Sequence, residues 1–120
     1  MAYGIKILDV SFEANTDLTD EQFKVVELDS DGNIGLATAG ELGLGVLQND
    51  PDDGEAGAVR VAGVSKVVAG ATVGAGEVVE VGTDGRVIEQ DTGEGVGICL
   101  EGGDENEVIT ILVSHIGATV

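Results

Sequence analysis

An all-β fold, a small single-domain barrel or sandwich of short strands with an extended N-terminal arm, is what this 120-residue sequence predicts. Aliphatic residues come in short runs punctuated by Gly and Asp, and helical periodicity never persists beyond one turn. Twenty glycines sit among Val and Ile, where tight corners and bulges need them. With no Trp, one Tyr and two Phe, the core must be built from Val, Ile, Leu and Ala. Each large aliphatic side chain then contributes about 1.5–3 kcal/mol on burial.

The elements follow in order. Residues 3–12, "YGIKILDVSF", alternate Ile5, Ile7 and then Val10 with polar neighbours, as an extended arm or edge strand does. Residues 13–22 are polar and acidic, and Thr19 followed by Gln22 has capping-box spacing, which predicts one helical turn. "FKVVEL" and "NIGLATA" flank Asp29-Ser30-Asp31-Gly32, a hairpin turn signal. "LGVLQ" precedes the acidic loop "NDPDDGEAG", where Pro51 and Gly54 interrupt any regular element. "AVRVAG" and "SKVVAG" read as two further strands. "EVVEVGTDGRVIEQ" is the clearest hairpin, with Asp84-Gly85 suited to positive φ at its tip. "VGICLEG" and "EVITILVSHIG" close the chain, the latter apolar enough for a central strand. Two segments result: residues 1–22 as the arm or edge, and residues 23–120 as the barrel.

Charge narrows the function. A formal net charge of −18 repels phosphate, so neither nucleic acid nor an anionic membrane is an expected partner. Yet 42% of the residues are hydrophobic, which favours a folded chain over a disordered one. Abundant carboxylates with small apolar residues fit a halophilic origin, since at about 1 M salt the Debye length falls to roughly 3 Å and surface repulsion is screened. The opening residues lack the apolar core of a signal peptide, which leads to the expectation that the chain is made and kept in a cytoplasm or leaves inside a larger particle.

No catalytic constellation emerges from the spacing. His115 is the sole histidine and its neighbour Ser114 would point to the opposite face of a strand, so the two do not form a nucleophile–base pair. The single cysteine, Cys99, reads as a buried small hydrophobe. Asp50, Asp52, Asp53 and Glu55 gather oxygen ligands in one loop, but their spacing departs from an EF-hand, and a solvated acidic loop is the expectation. A lipoyl or biotin carrier would need a lysine at a hairpin tip, and the tip Thr83-Asp84-Gly85-Arg86 has none. No enzyme activity, metal or cofactor is therefore expected.

The order of motifs carries a resemblance. An "ATAG" hairpin, "GVLQNDP" with its acidic loop, "VRVAGVSKV", "AGATVGAG", a "DGR" turn, "VGICLE" and a final aliphatic strand resemble the small capsid decoration, or cement, proteins of tailed viruses. The resemblance covers residues 23–113, leaving residues 1–22 outside the pattern. It implies a non-enzymatic protein, made in the host cytoplasm, that adds to the outer surface of a viral head and bridges major capsid subunits, commonly as a homotrimer. The acidity departs from bacterial-virus examples and fits a virus of halophilic archaea. The alternative is a free-standing acidic calcium-binding or adhesive surface module.

One stretch indicates where contact is made. Residues 56–76, "AGAVRVAGVSKVVAGATVGAG", hold none of the chain's 23 carboxylates but two of its five basic residues, Arg60 and Lys66. An unpaired buried charge costs several kcal/mol, so a segment packed on both sides excludes carboxylates. Arg60, Val64, Lys66 and Val68 are thus the expected oligomer or capsid contacts, together with Tyr3, Ile5 and Ile7 on one face of the arm.

Overall fold

The computed structural model describes residues 2–117. Nine strands are present among them: β1 (Ile5–Glu13), β2 (Val25–Leu28), β3 (Ile34–Leu36), β4 (Gly45–Leu47), β5 (Ala56–Val68), β6 (Val78–Val81), β7 (Val87–Glu89), β8 (Gly95–Glu101) and β9 (Val108–Ile116). They form one sheet in the order β3-β2-β4-β5-β9-β8-β6-β7, with β1 added beside β5. All named pairings are antiparallel. The sheet curls into a half-barrel within one domain, as the all-β reading expects.

The hairpins form where turn chemistry demands them. In the β2–β3 turn, Asp29 Oδ1 accepts the N–H groups of Asp31 and Asn33, both at 2.9 Å, and Gly32 takes φ 83°. Asn15 donates to Asp29 Oδ2 at 3.0 Å; this side-chain bond, followed by the backbone ones, holds the Asp29 carboxyl below its ordinary range. At the β6–β7 tip, Asp84 and Gly85 both adopt positive φ, 60° and 73°.

Three local expectations fail, each for a visible reason. No helical turn starts at Thr19, because Asp17 Oδ1 captures both the Thr19 N–H (2.9 Å) and its hydroxyl (2.7 Å), and Gln22 donates instead to the Gln48 carbonyl. Phe23 is not in a strand; its φ of 65° makes a corner, and β2 begins at Val25. "AVRVAG" and "SKVVAG" are not separate strands but one 13-residue strand, β5, running through Gly63. Gly63 has φ 112°, and a Cβ there would collide with the Ile5 carbonyl and lie 2.8 Å from Ile7 N, so glycine here admits the close approach of β1, irregular at Ile7, to a continuous strand rather than making a turn.

Two aliphatic clusters fill the fold. Val25, Val46, Val67, Val79, Ile109 and Ile111 belong to the larger, and Leu18, Val26, Ile34, Leu47 and Val59 to the smaller. Adjacent residues of β2, Val25 and Val26, enter different clusters, as do Val46 and Leu47 of β4. These two short strands are therefore a partition with core on both faces, which explains why they lack the polar alternation of a half-exposed strand. β5 reaches both clusters, through Val59 near its start and Val67 near its end.

Among the described residues every buried side-chain nitrogen and oxygen has a hydrogen-bond partner. The Glu80 carboxylate, 6% exposed, accepts the N–H groups of Asp91 and Gly93 and pins the loop after β7. Cys99 lies in the larger cluster, where burial first, and then the carboxylates of Glu77 and Glu89, push its thiol pKa up.

Gly63→Ala should lower unfolding free energy by at least about 1–3 kcal/mol in urea titrations, through strain and the blocked approach of β1. Gly32→Ala, with similar φ but nothing within 4 Å of the added methyl, should cost less. Equal losses would mean that positive φ alone, not strand approach, dictates Gly63.

Candidate interaction face

β5 is hydrogen-bonded along both edges. Gly63 and Val64 pair with Lys6 and Ile5 of β1 on one side and with Val113 and Leu112 of β9 on the other; Val59 and Arg60 likewise lie between β1 and β4. β4 and then β9 thus occupy one edge, and β1 the other. β1 is an edge strand, with Ile5 57% and Ile7 72% exposed and Leu8 half-exposed. The β1–β5 register shifts on either side of Leu8, which takes Ile7 out of the ladder.

Directly opposed residues share a face of a sheet. Following the pairings outward from Val64 gives Ile5, Val64, Leu112, Ile98 and Val78, one aliphatic residue from each of β1, β5, β9, β8 and β6. This row lies on the side away from the larger core cluster, whose members Ile111, Cys99 and Val79 alternate with it. At roughly 4.8 Å between strands, the row spans about 19 Å. Val64, Ile98 and Val78 are half-buried, while Ile5 and Leu112 are exposed.

Lys66 and Val68 are half-buried two and four residues along from Val64 on the same strand face, and Val68 pairs with Val108. Tyr3 is exposed, and its N–H donates to Thr110 Oγ1 at 3.0 Å, fastening the chain before β1 to β9. The structure therefore gathers Tyr3, Ile5, Val64, Lys66 and Val68 in one region around β5 and its neighbours. Leu112, Ile98 and Val78 complete the row, and nothing local in the sequence marks them: only strand register aligns residues so far apart.

Both cations of the carboxylate-free stretch are engaged within the chain. Arg60 donates through Nε to Asp9 Oδ1 at 2.9 Å and through Nη2 to Asp9 Oδ2 at 3.2 Å, while Nη1 reaches the Val64 carbonyl at 3.0 Å. The Lys66 ammonium lies 5.6 Å from the Phe23 ring centre, within cation–π range. Carboxylates are absent from β5 because Val59, Gly63, Ser65 and Val67 are fully buried and the alternate positions are half-covered, leaving neither face wet enough for an unpaired charge.

The acidic loop is organised by its own amides. Glu55 Oε1 accepts the Asp52 N–H at 2.8 Å and Asp52 Oδ1 the Asp53 N–H at 2.7 Å, with Asp50 exposed nearby in sequence. Among the described residues no group of three or more His, Cys, Asp or Glu is arranged to hold a metal. At another place Leu28, Leu42, Gly43, Leu44 and His115 line an apolar groove of about 430 Å³. His115 Nε2 lies 2.8 Å from the Gly43 carbonyl and 3.0 Å from that of Leu44. Carbonyls only accept, so Nε2 carries the proton, and His115 clips the β3–β4 loop to β9.

A curled β half-barrel with an aliphatic outer row has the form of a structural module that works through its surface. The family model described as "Phage cement protein" matches residues 3–115, and the chain belongs to that family. It is accordingly a capsid-associated structural protein of the virion head. The match includes β1, which the resembling motifs leave out. The chain is also similar in fold to the N base of head fiber gp8.5 of bacteriophage phi29, with a TM-score of 0.71 and 19% identity, covering 94% of this chain and 98% of that one. No curated protein matches it.

Arg60→Ala should release β1 selectively: amide hydrogen exchange at residues 5–9 should speed up by tenfold or more, equivalent to about 1.4 kcal/mol, while β6–β9 amides stay protected. Uniform loss of protection across the sheet would show that the Arg60–Asp9 fork supports the whole fold instead.

Proposed function

We propose that this protein binds the outer surface of a viral head and stabilises the shell by bridging neighbouring major capsid subunits, acting as a homotrimer and without catalysis. The observation that carries this reading is the aliphatic row across five strands of a chain that is otherwise strongly acidic. Such a row gains free energy when covered, at roughly 25 cal/mol per Å² of apolar surface. Val64, Lys66, Val68 and Leu112 face the shell, and Tyr3, Ile5 and Ile7 extend the contact to a sister subunit. Each copy makes modest contacts, and an oligomer engaging several shell subunits at once multiplies them into tight attachment. Family membership supports the capsid as partner, and the net charge of −18 argues against nucleic acid and anionic membranes.

The same charge makes the assembly depend on salt. Copies crowded on a shell repel one another through their carboxylates, and high salt both screens this and strengthens apolar contact. A halophilic host provides those conditions.

Co-sedimentation with purified empty heads of its virus in high salt should show saturable binding at a fixed ratio to the capsid protein. Leu112→Asp should weaken binding by about tenfold or more with an unchanged circular dichroism spectrum. A folded wild-type chain that stays in the supernatant would overturn the reading.

Sedimentation velocity in decreasing salt should show the oligomer dissociating as repulsion grows. A sedimentation coefficient unchanged down to dilute buffer would remove the halophilic component of the reading and leave capsid attachment untouched.

A further inference from the structure

Lys6 stands apart from the other basic residues. Lys24 pairs with Glu21, Arg60 with Asp9, and Arg86 with Asn106 and Glu105, while Lys66 lies over Phe23. The Lys6 ammonium has no ion-pair or hydrogen-bond partner among the described residues. It is exposed and flanked by Ile5 and Ile7, two of the most exposed aliphatic residues in the molecule. The start of β1, its tip, thus presents an exposed apolar edge with one uncommitted positive charge.

The groove beside His115 has the opposite character. Leu42 is 61% exposed and Leu28 47%, an unusual amount of bare leucine for one concavity. Glu41, next to Leu42 in the chain, is exposed, and its carboxylate has no partner among the described residues. Leu28 lies between Glu27 and Asp29, so the rim is negative. His115 cannot offset this by donating from Nε2, because that proton is already directed at the Gly43 and Leu44 carbonyls.

The tip cannot fill the groove of its own chain. Lys6 is held opposite Gly63 on one edge of β5, whereas β9, which carries His115, and β4, which follows the Leu42–Leu44 segment, lie on the other edge. A second copy is free of that restraint. We propose that the β1 tip of one copy seats in the Leu28–Leu42–His115 groove of another, with Ile7 covering the leucines and Lys6 meeting Glu41. This rests on the self-association in the reading above and specifies its contact. Tip and groove are different patches, so the contact is head-to-tail, and successive contacts close into a ring when the rotation between copies permits.

Light scattering coupled to size exclusion, in high salt, tests this. Wild type should be oligomeric, and Ile7→Asp and Leu42→Asp should each be monomeric with unchanged circular dichroism, both positions being solvent-facing. Mixing the two variants should restore a 1:1 dimer, because one retains the groove and the other the tip. Lys6→Glu and Glu41→Lys should each weaken assembly by about tenfold and recover together, as opposite charges exchanged across one contact must. A monomeric wild type would overturn both self-association and this contact. An oligomer that survives Ile7→Asp and Leu42→Asp, or mixed variants that remain monomeric, would overturn the tip–groove contact alone.

Discussion

The pairing of β5 along both of its edges is the constraint on which the rest of the structure depends. A 13-residue strand flanked by β1 on one side and by β4 and then β9 on the other joins the two halves of the sheet and reaches both core clusters. That arrangement requires a neighbouring backbone to approach closely at Gly63, where any side chain would strike Ile5 and Ile7. It also leaves alternate β5 residues buried and the rest half-covered, so carboxylates are excluded from a chain otherwise rich in them. The two cations that remain are engaged locally, Arg60 in an ion pair with Asp9 and Lys66 over the face of Phe23.

Placing so many carboxylates on loops and so few on the sheet separates two tasks. Asp29, Asp17 and the Asp52–Glu55 loop spend their oxygens on nearby N–H groups and shape turns. The outer sheet face carries an aliphatic row that crosses five strands, with Leu112 at its centre. An acidic protein can therefore present a surface on which another protein can settle without bringing like charges into contact. Membership in the phage cement family gives this surface a context, since association with a capsid calls for a broad contact rather than a deep pocket.

Hairpin turns were legible from short stretches because their determinants are local. Asp84-Gly85 and Asp29 to Gly32 carry the conformational preference and the side-chain acceptor within a few residues of the bend. Capping at Thr19 was misread because the competing acceptor, Asp17, satisfies the same donors with less chain ordered. The β5 break was misread because glycine signals a turn and a close strand approach alike, and only the neighbouring strand decides between them. The buried pairs Val25–Val26 and Val46–Leu47 are ambiguous in sequence for a related reason: strands with core on both faces lose the alternation that identifies a strand.

The sequence by itself determined an all-β domain with an aliphatic core, a strongly negative net charge, the positions of its tight hairpins, and a carboxylate-free stretch. Those properties follow from composition and from interactions between residues a few positions apart. Tertiary structure alone decided that Val64, Leu112, Ile98 and Val78 form one row, that Arg60 meets Asp9 across 51 positions, and that Leu28, Leu42 and His115 share a groove. Each depends on register between strands distant in the chain, and register is fixed by the packing of the whole sheet rather than by any segment within it.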